Sequence, residues 1–156
     1  MDNTRILFVC LGNICRSPAA EEILRTITRK AGKDWKIDSA GTYSGHKGEL
    51  PDRRMHAAAG KRGYSLTHRA RPVSIGDFLD FDMIVAMDDD NYETLRMMAP
   101  DTESENKVVR IRDFFNEGRT DTYVPDPYYS GREGFEYVLD LLEEACENIA
   151  NGKRNS

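Results

Sequence analysis

The chain has 156 residues, 39% of them hydrophobic and 31% charged, with a formal net charge of −5. That length suits one domain with a full core, which needs no disulfide framework or structural metal. The negative charge excludes nucleic-acid binding by bulk charge. Three cysteines, at 10, 15 and 146, with no CxxC pair and no Cys/His cluster, point to neither a disulfide scaffold nor a metal site. The opening MDNTRILFVC lacks the apolar core and cleavage site of a signal peptide, and no run reaches membrane-spanning length. The expectation is a cytoplasmic protein with no membrane insertion, in a reducing compartment where a thiol stays free; export without a signal is left open.

In chain order, residues 5–9 (RILFV) read as a short buried strand, followed by a loop and a helix over 17–30. Ser17 is the expected N-cap and Pro18 the first helical residue, with Glu21 and Glu22 near the positive end of the helix dipole. Residues 35–39 (WKIDS) form a second strand and 52–62 a helix stopped by Gly63. A short helix over 74–79 precedes a strand over 82–87, a helix over 88–98 and a strand over 107–111, with TESEN (102–106) read as a loop. After an irregular stretch holding VPDPYY, a last helix over 134–150 lines up Phe135, Val138, Leu139, Leu142, Ala145 and Ile149 on one face. Strands separated by helices predict an α/β domain: a four-stranded parallel sheet flanked by helices on both faces.

In such a sheet ligands sit at the carboxyl ends of the strands. The first strand ends on Cys10 and runs into Leu11, Gly12, Asn13, Ile14, Cys15 and Arg16 at the mouth of a helix. A loop of this kind turns backbone N–H groups inward beside the free N–H groups of the helix start, which makes an anion cradle. It is not a GxxxxGK[ST] nucleotide loop, because the lysine and the spacing are missing. The strand delivers a thiol to the cradle floor. Helix N-termini and nearby cations favour the thiolate, Ser17 is placed to donate to the sulfur, and Arg16 can hold two phosphoryl oxygens in a fork. A leaving alkoxide or phenoxide needs a proton, and Asp126, between Pro125 and Pro127, is the suited carboxylic acid.

Cys10-Leu-Gly-Asn-Ile-Cys-Arg16-Ser17 near the N-terminus, with Asp126-Pro-Tyr-Tyr129 near the C-terminus, resembles the low-molecular-weight protein tyrosine phosphatases. The segments Asp38-Ser39-Ala-Gly-Thr, His68-Arg-Ala-Arg71 and Met87-Asp88 to Asn91 fall where that family has similar ones. The resemblance implies Cys10 as nucleophile forming a phosphocysteine, Arg16 as clamp, and Asp126 as general acid and then base. It implies that Ser17 assists the thiolate, while Asn13, Ser39 and His68 form the network that holds the loop. No metal or other cofactor is implied, because Arg16 and the backbone amides supply the positive field. The implied partners are phosphotyrosine proteins, and nothing demands more than a monomer or weak dimer.

Leu11, Ile14, Tyr128 and Tyr129 would line an apolar slot deep enough for a phenyl ring. Related bacterial enzymes that dephosphorylate arginine resemble CTGNTCRS in the loop; Ile14 stands where they carry their second threonine, which favours phosphotyrosine. The family commonly has an aromatic rim residue where this chain has Gly45, and Tyr43 or His46 is the candidate substitute. Cys146 reads as inert packing, while Cys15 either packs or forms a protective disulfide with Cys10. Asp88 to Asp90 read as a helix cap, and Arg53, Arg54, Arg69 and Arg71 as solvated surface. Thioredoxin-coupled arsenate reductases share the fold, but residues 80–98 hold no cysteine for their relay. A catalytically silent phosphate-binding module would be free to lose any of the four intact residues Cys10, Arg16, Ser17 and Asp126.

Overall fold

The computed structural model describes residues 3–155, so the first two residues of the N-terminal segment considered above lie outside it. Four strands, β1 (Arg5–Cys10), β2 (Lys36–Gly41), β3 (Met83–Ala86) and β4 (Val108–Arg110), form one sheet in the order β2-β1-β3-β4. Every pairing is parallel, with Cys10 opposite Gly41 and Val9 opposite both Ala40 and Ala86. The helices are α1 (Arg16–Lys30), α2 (Arg53–Gly60), α3 (Asp77–Asp80), α4 (Asp89–Met98), α5 (Thr102–Asn106) and α6 (Arg132–Ala150).

The two-residue period of β1 divides the core. Ile6, Phe8 and Cys10 face one layer, where they join Ala20, Ile23 and Leu24 of α1, Met55 of α2 and Val138, Leu142 and Ala145 of α6. Leu7 and Val9 face the other, with Phe78 of α3, Leu95 of α4, Phe81 and Val108. β1 is thus covered on both sides, which explains why it reads as an unbroken apolar run. Full burial of a Leu, Phe or Val side chain contributes about 1.5–3 kcal/mol. The same alternation that buries Phe8 aims the Cys10 side chain toward α1.

Several expected boundaries shift. Helix α1 starts at Arg16, and its N-cap is Cys15, which makes no side-chain capping bond. Ser17 is therefore not the cap, and its hydroxyl is occupied at Cys10. Pro18 sits inside the first turn, where a missing N–H costs nothing, and Glu21 lies beyond that turn. TESEN is not a loop but helix α5, because Asp101 caps it by accepting from Ser104 N at 2.7 Å. The fourth strand ends at Arg110, and a 3₁₀ turn over Ile111–Phe114 follows.

Surface carboxylates staple these elements. Asp82, entering β3, accepts from both the side chain and the backbone N–H of Arg5, and the Arg5 guanidinium holds its carboxyl below the ordinary value. The Ser104 backbone N–H does the same for Asp101. A carboxyl depressed in the folded state adds stability that is fully present above its unfolded value of about 3.9 and is lost as pH falls through the folded value. Thermal melts should therefore stay level from neutrality to about pH 4 and drop below it. The drop should be shallower in Asp82→Asn, checked by circular dichroism from pH 2 to 7.

Candidate active site

The site grows from the end of β1. Past Cys10 the chain leaves the sheet but stays bonded beside β2: Thr42 N donates to Cys10 O at 3.0 Å and Tyr43 N to Leu11 O at 2.9 Å. The approach is close enough that a Cβ on Gly41 would lie 2.8 Å from Leu11 O, so position 41 admits only glycine without a shift.

Asn13 then takes φ +57°, the sole positive φ at a non-glycine position among the described residues. Its side chain holds it there. Asn13 Nδ2 donates to Ser17 Oγ at 2.7 Å and Ser39 Oγ at 3.0 Å. Its Oδ1 accepts from His68 Nε2 at 2.8 Å and from Arg71 N at 3.0 Å. Ser39 Oγ in turn donates to Glu21 Oε1 at 2.6 Å, and His68 Nδ1 faces Glu21 and Asp38 at 3.2 and 3.4 Å.

Ser17 Oγ accepts from Asn13 and has one hydrogen, with Cys10 Sγ at 3.0 Å and Ala40 O at 3.5 Å as its possible acceptors, while Ser17 N points at the same sulfur from 3.5 Å. When the sulfur is an anion only Ser17 can donate. Arg16 is buried with its Nη1 bonded to Asp88 Oδ2 at 2.7 Å and Val124 O at 3.1 Å. Its Nη2 lies 3.8 Å from Asp126 Oδ2. Burial works against the guanidinium charge, but Cys10, Asp88 and Asp126 outweigh it and hold Arg16 above its ordinary value.

Asp126 is carried in by a tether: Val124 N donates to Met87 O at 2.9 Å, at the end of β3, while Asp126 Oδ1 accepts from Tyr128 N at 3.1 Å. The carboxyl is half-exposed above the loop. The result is a cavity of about 240 Å³ with Cys10, Gly12, Cys15 and Arg16 among its lining, Asp126 on one flank, and Leu11, Ile14, Tyr43, His46, Tyr128 and Tyr129 completing the walls. Tyr129 is 96% exposed and stands on the outer rim, whereas Tyr128 is 37% exposed and held by Arg54, 5.2 Å from its ring. Asn13, Ser17, Ser39 and His68 do not line the cavity; they lie behind the loop.

All three cysteines are free. Burial, reinforced by Asp52 and other nearby negative charge, pushes the Cys15 thiol well above its ordinary range. Burial does the same to Cys146, whose sulfur donates to Ala20 O.

Three participants escaped the sequence reading. Asp88 does cap α4, accepting from Asn91 N at 2.8 Å, but its second oxygen holds Arg16. Glu21 is buried beneath the loop rather than serving the dipole. Arg71 is no solvated surface residue, since it pairs with Asp38 and Asp77 while its backbone N–H supports Asn13. Asp88 and Arg71 lay in segments shared with the family, whereas Glu21 was read only for the helix dipole.

A parallel sheet whose first strand ends on a thiol, inside a loop closed by a buried arginine, defines the class of cysteine-centred phosphate-binding α/β proteins. The family profile described as low molecular weight phosphotyrosine protein phosphatase matches residues 5–155. A Synechocystis protein named among the low molecular weight protein-tyrosine-phosphatases is 52% identical over 147 residues, 93% of either chain. The low molecular weight protein-tyrosine-phosphatase of Streptomyces coelicolor is 42% identical over 149 residues, 93% of this chain and 90% of its own. A crystal structure of a protein tyrosine phosphatase from Entamoeba histolytica superposes with a TM-score of 0.90 at 44% identity, covering 94% of both chains. The chain belongs to the low molecular weight phosphotyrosine protein phosphatase family.

Asp88→Asn isolates the hold on Arg16, because asparagine caps a helix as well as aspartate does. Its melting temperature should stay within a few degrees of wild type. Its affinity for inorganic phosphate, measured by calorimetry, should change about tenfold through loss of one charge-assisted bond. Unchanged affinity would mean that Val124 O and Asp126 suffice to place Arg16.

Proposed function

We propose that this chain hydrolyses phosphotyrosine in proteins, and small aryl phosphates, through a phosphocysteine. The observation that carries the reading is the convergence of Cys10 Sγ, the buried Arg16 fork and the half-exposed Asp126 carboxyl on one cavity.

In the first step the Cys10 thiolate attacks phosphorus in line with the ester oxygen. The S–P bond forms as the P–O(aryl) bond breaks, and Asp126, starting protonated, gives its proton to the leaving phenoxide. Arg16 and the loop N–H groups take the charge on the phosphoryl oxygens. In the second step a water attacks phosphorus, the Asp126 carboxylate accepts its proton, and Cys10 leaves as a thiolate that receives the Ser17 hydroxyl hydrogen bond. Phosphate is released and the starting protonation is restored. This scheme needs no metal ion, since the guanidinium and backbone dipoles supply the positive field.

The positions of Asn13, Ser39 and His68 behind the loop support positioning roles for them, because they act on Ser17 and the loop backbone. Leu11, Ile14 and Tyr128 give the slot apolar sides, which suits an aryl ester better than a serine ester. Every group in the scheme comes from one chain, so a monomer suffices and a weak dimer would need no shared site. Among the described residues no helix is long and apolar enough to cross a membrane, and the nucleophile must stay reduced; both fit work in the cytoplasm.

Phosphate release from an aryl phosphate and from matched phosphotyrosine, phosphoserine and phosphoarginine peptides, over pH 4 to 9, tests the scheme. Wild type should act on the phenolic substrates with chelator present. Cys10→Ser should be inactive, and Asp126→Asn should lose about 10²–10⁴-fold in kcat on phenolic esters. Activity surviving Cys10→Ser would sink the mechanism, and a wild type that only binds phosphate would mark a silent module.

A further inference from the structure

Arg54, read from the sequence as solvated surface, is half-exposed but stands where three parts of the chain meet. Its guanidinium forks onto the Asp52 carboxylate, Nε to Oδ1 at 3.1 Å and Nη2 to Oδ2 at 2.9 Å. The same cation lies against two rings, 5.2 Å from the centroid of Tyr128 and 4.8 Å from that of Phe135. A planar guanidinium can give its edge to a carboxylate and its faces to rings at once, which an ammonium cannot. No step of the scheme above uses it.

Each of its partners leads to a different part of the site. Asp52 caps α2, accepting from Arg54 N at 2.8 Å and Met55 N at 3.4 Å. The Asp52 backbone N–H donates to Ile14 O at 2.7 Å, inside the phosphate loop. Tyr128 gives its own backbone N–H to Asp126 Oδ1, so the seat of Tyr128 bears on where that carboxyl points. Phe135 is buried at the start of α6.

The acid-bearing segment needs such a tie, since residues 115–131 include no helix or strand. Downstream of Asp126 it closes on itself, with Ser130 N and Oγ both donating to Pro127 O at 2.9 and 2.8 Å. Ser130 is seated against α6 so closely that a Cβ on Gly134 would lie 1.9 Å from its Oγ. These contacts settle the segment on α6 but do not reach the phosphate loop. Arg54 and Asp52 make that connection.

We propose that Arg54 is a positioning residue for the acid: by tying Tyr128 and Phe135 to the Asp52 cap beside the phosphate loop, it sets the reach of the Asp126 carboxyl toward the leaving oxygen. This rests on the phosphatase reading above, in which Asp126 protonates that oxygen. Arg54 does not line the cavity and acts only through Tyr128.

The leaving-group dependence of kcat/KM separates a displaced acid from general damage. Phenoxide needs a proton in the transition state, whereas p-nitrophenoxide leaves readily without one. Arg54→Met keeps the stem and loses the fork and the plane. It should lower kcat/KM for phenyl phosphate about three- to tenfold and that for p-nitrophenyl phosphate less than about twofold. Affinity for inorganic phosphate should not change. Arg54→Lys, which keeps only the charge, should behave in the same way. In an Asp126→Asn background Arg54→Met should cost nothing further, because the group it positions is gone. Equal loss on both esters, weakened phosphate binding, full rescue by lysine or a further loss in the double variant would each overturn the proposal. So would an active wild type whose phenyl phosphate turnover is indifferent to Arg54→Met. A wild type that hydrolyses neither ester is a separate outcome, which sinks the phosphatase reading and the proposal with it.

Discussion

The left-handed turn at Asn13 is the constraint on which the rest depends. A non-glycine residue there costs on the order of 1 kcal/mol, and asparagine tolerates it better than most. Four hydrogen bonds to its side-chain amide, each worth about 0.5–1.5 kcal/mol net, outweigh that cost. They also fix distant parts of the chain to one point. Ser17 belongs to α1, Ser39 to β2, and His68 and Arg71 to the segment leading toward α3. Opening the loop would strand several buried polar groups at once, so the closed loop is the low-energy state before any ligand arrives. Preorganisation of this kind lets donors meet developing charge without rearranging.

A second constraint follows from burying Arg16. A lone guanidinium could not be taken out of water at tolerable cost. Here Asp88 at the start of α4, the Val124 carbonyl and Asp126 from the loop before α6, and the Cys10 sulfur at the end of β1 surround it. The arginine thereby ties the end of β3, the start of α4 and the loop carrying Asp126 to the floor of the phosphate site. Candidate catalytic groups distant in sequence are held in register by the same charge that would bind phosphoryl oxygens.

The three cysteines show how placement decides chemistry. Cys146 is packed between α6 and α1, and burial keeps it a neutral thiol. Cys15, although it lines the cavity, is also held neutral by burial and surrounding negative charge. Cys10 alone has a hydroxyl and an N–H directed at its sulfur. One side-chain type thus yields two packing groups and one candidate nucleophile.

Local pattern made much of this legible in advance. The apolar run at 5–9, the periodic face of the last helix and the alternation of strands with helices dictated a parallel α/β sheet, because hydrophobic periodicity is a property of neighbouring residues. The spacing of Cys10, Arg16 and Ser17 marked the candidate phosphate loop for the same reason. The small helix at 102–106 was hidden because a single capping bond from Asp101 decides it, with little apolar signal. Glu21 and Arg71 were misjudged as helix-end and surface charges, and the hold of the capping Asp88 on Arg16 was missed, because charged residues look alike in sequence whether they face solvent or a buried partner. The sequence by itself therefore determined the fold class and the cysteine-to-arginine loop, and it singled out Asp126 as the candidate acid. Tertiary structure alone decided who holds Arg16 and what closes the turn at Asn13, since each depends on residues far apart in sequence meeting within a few ångströms.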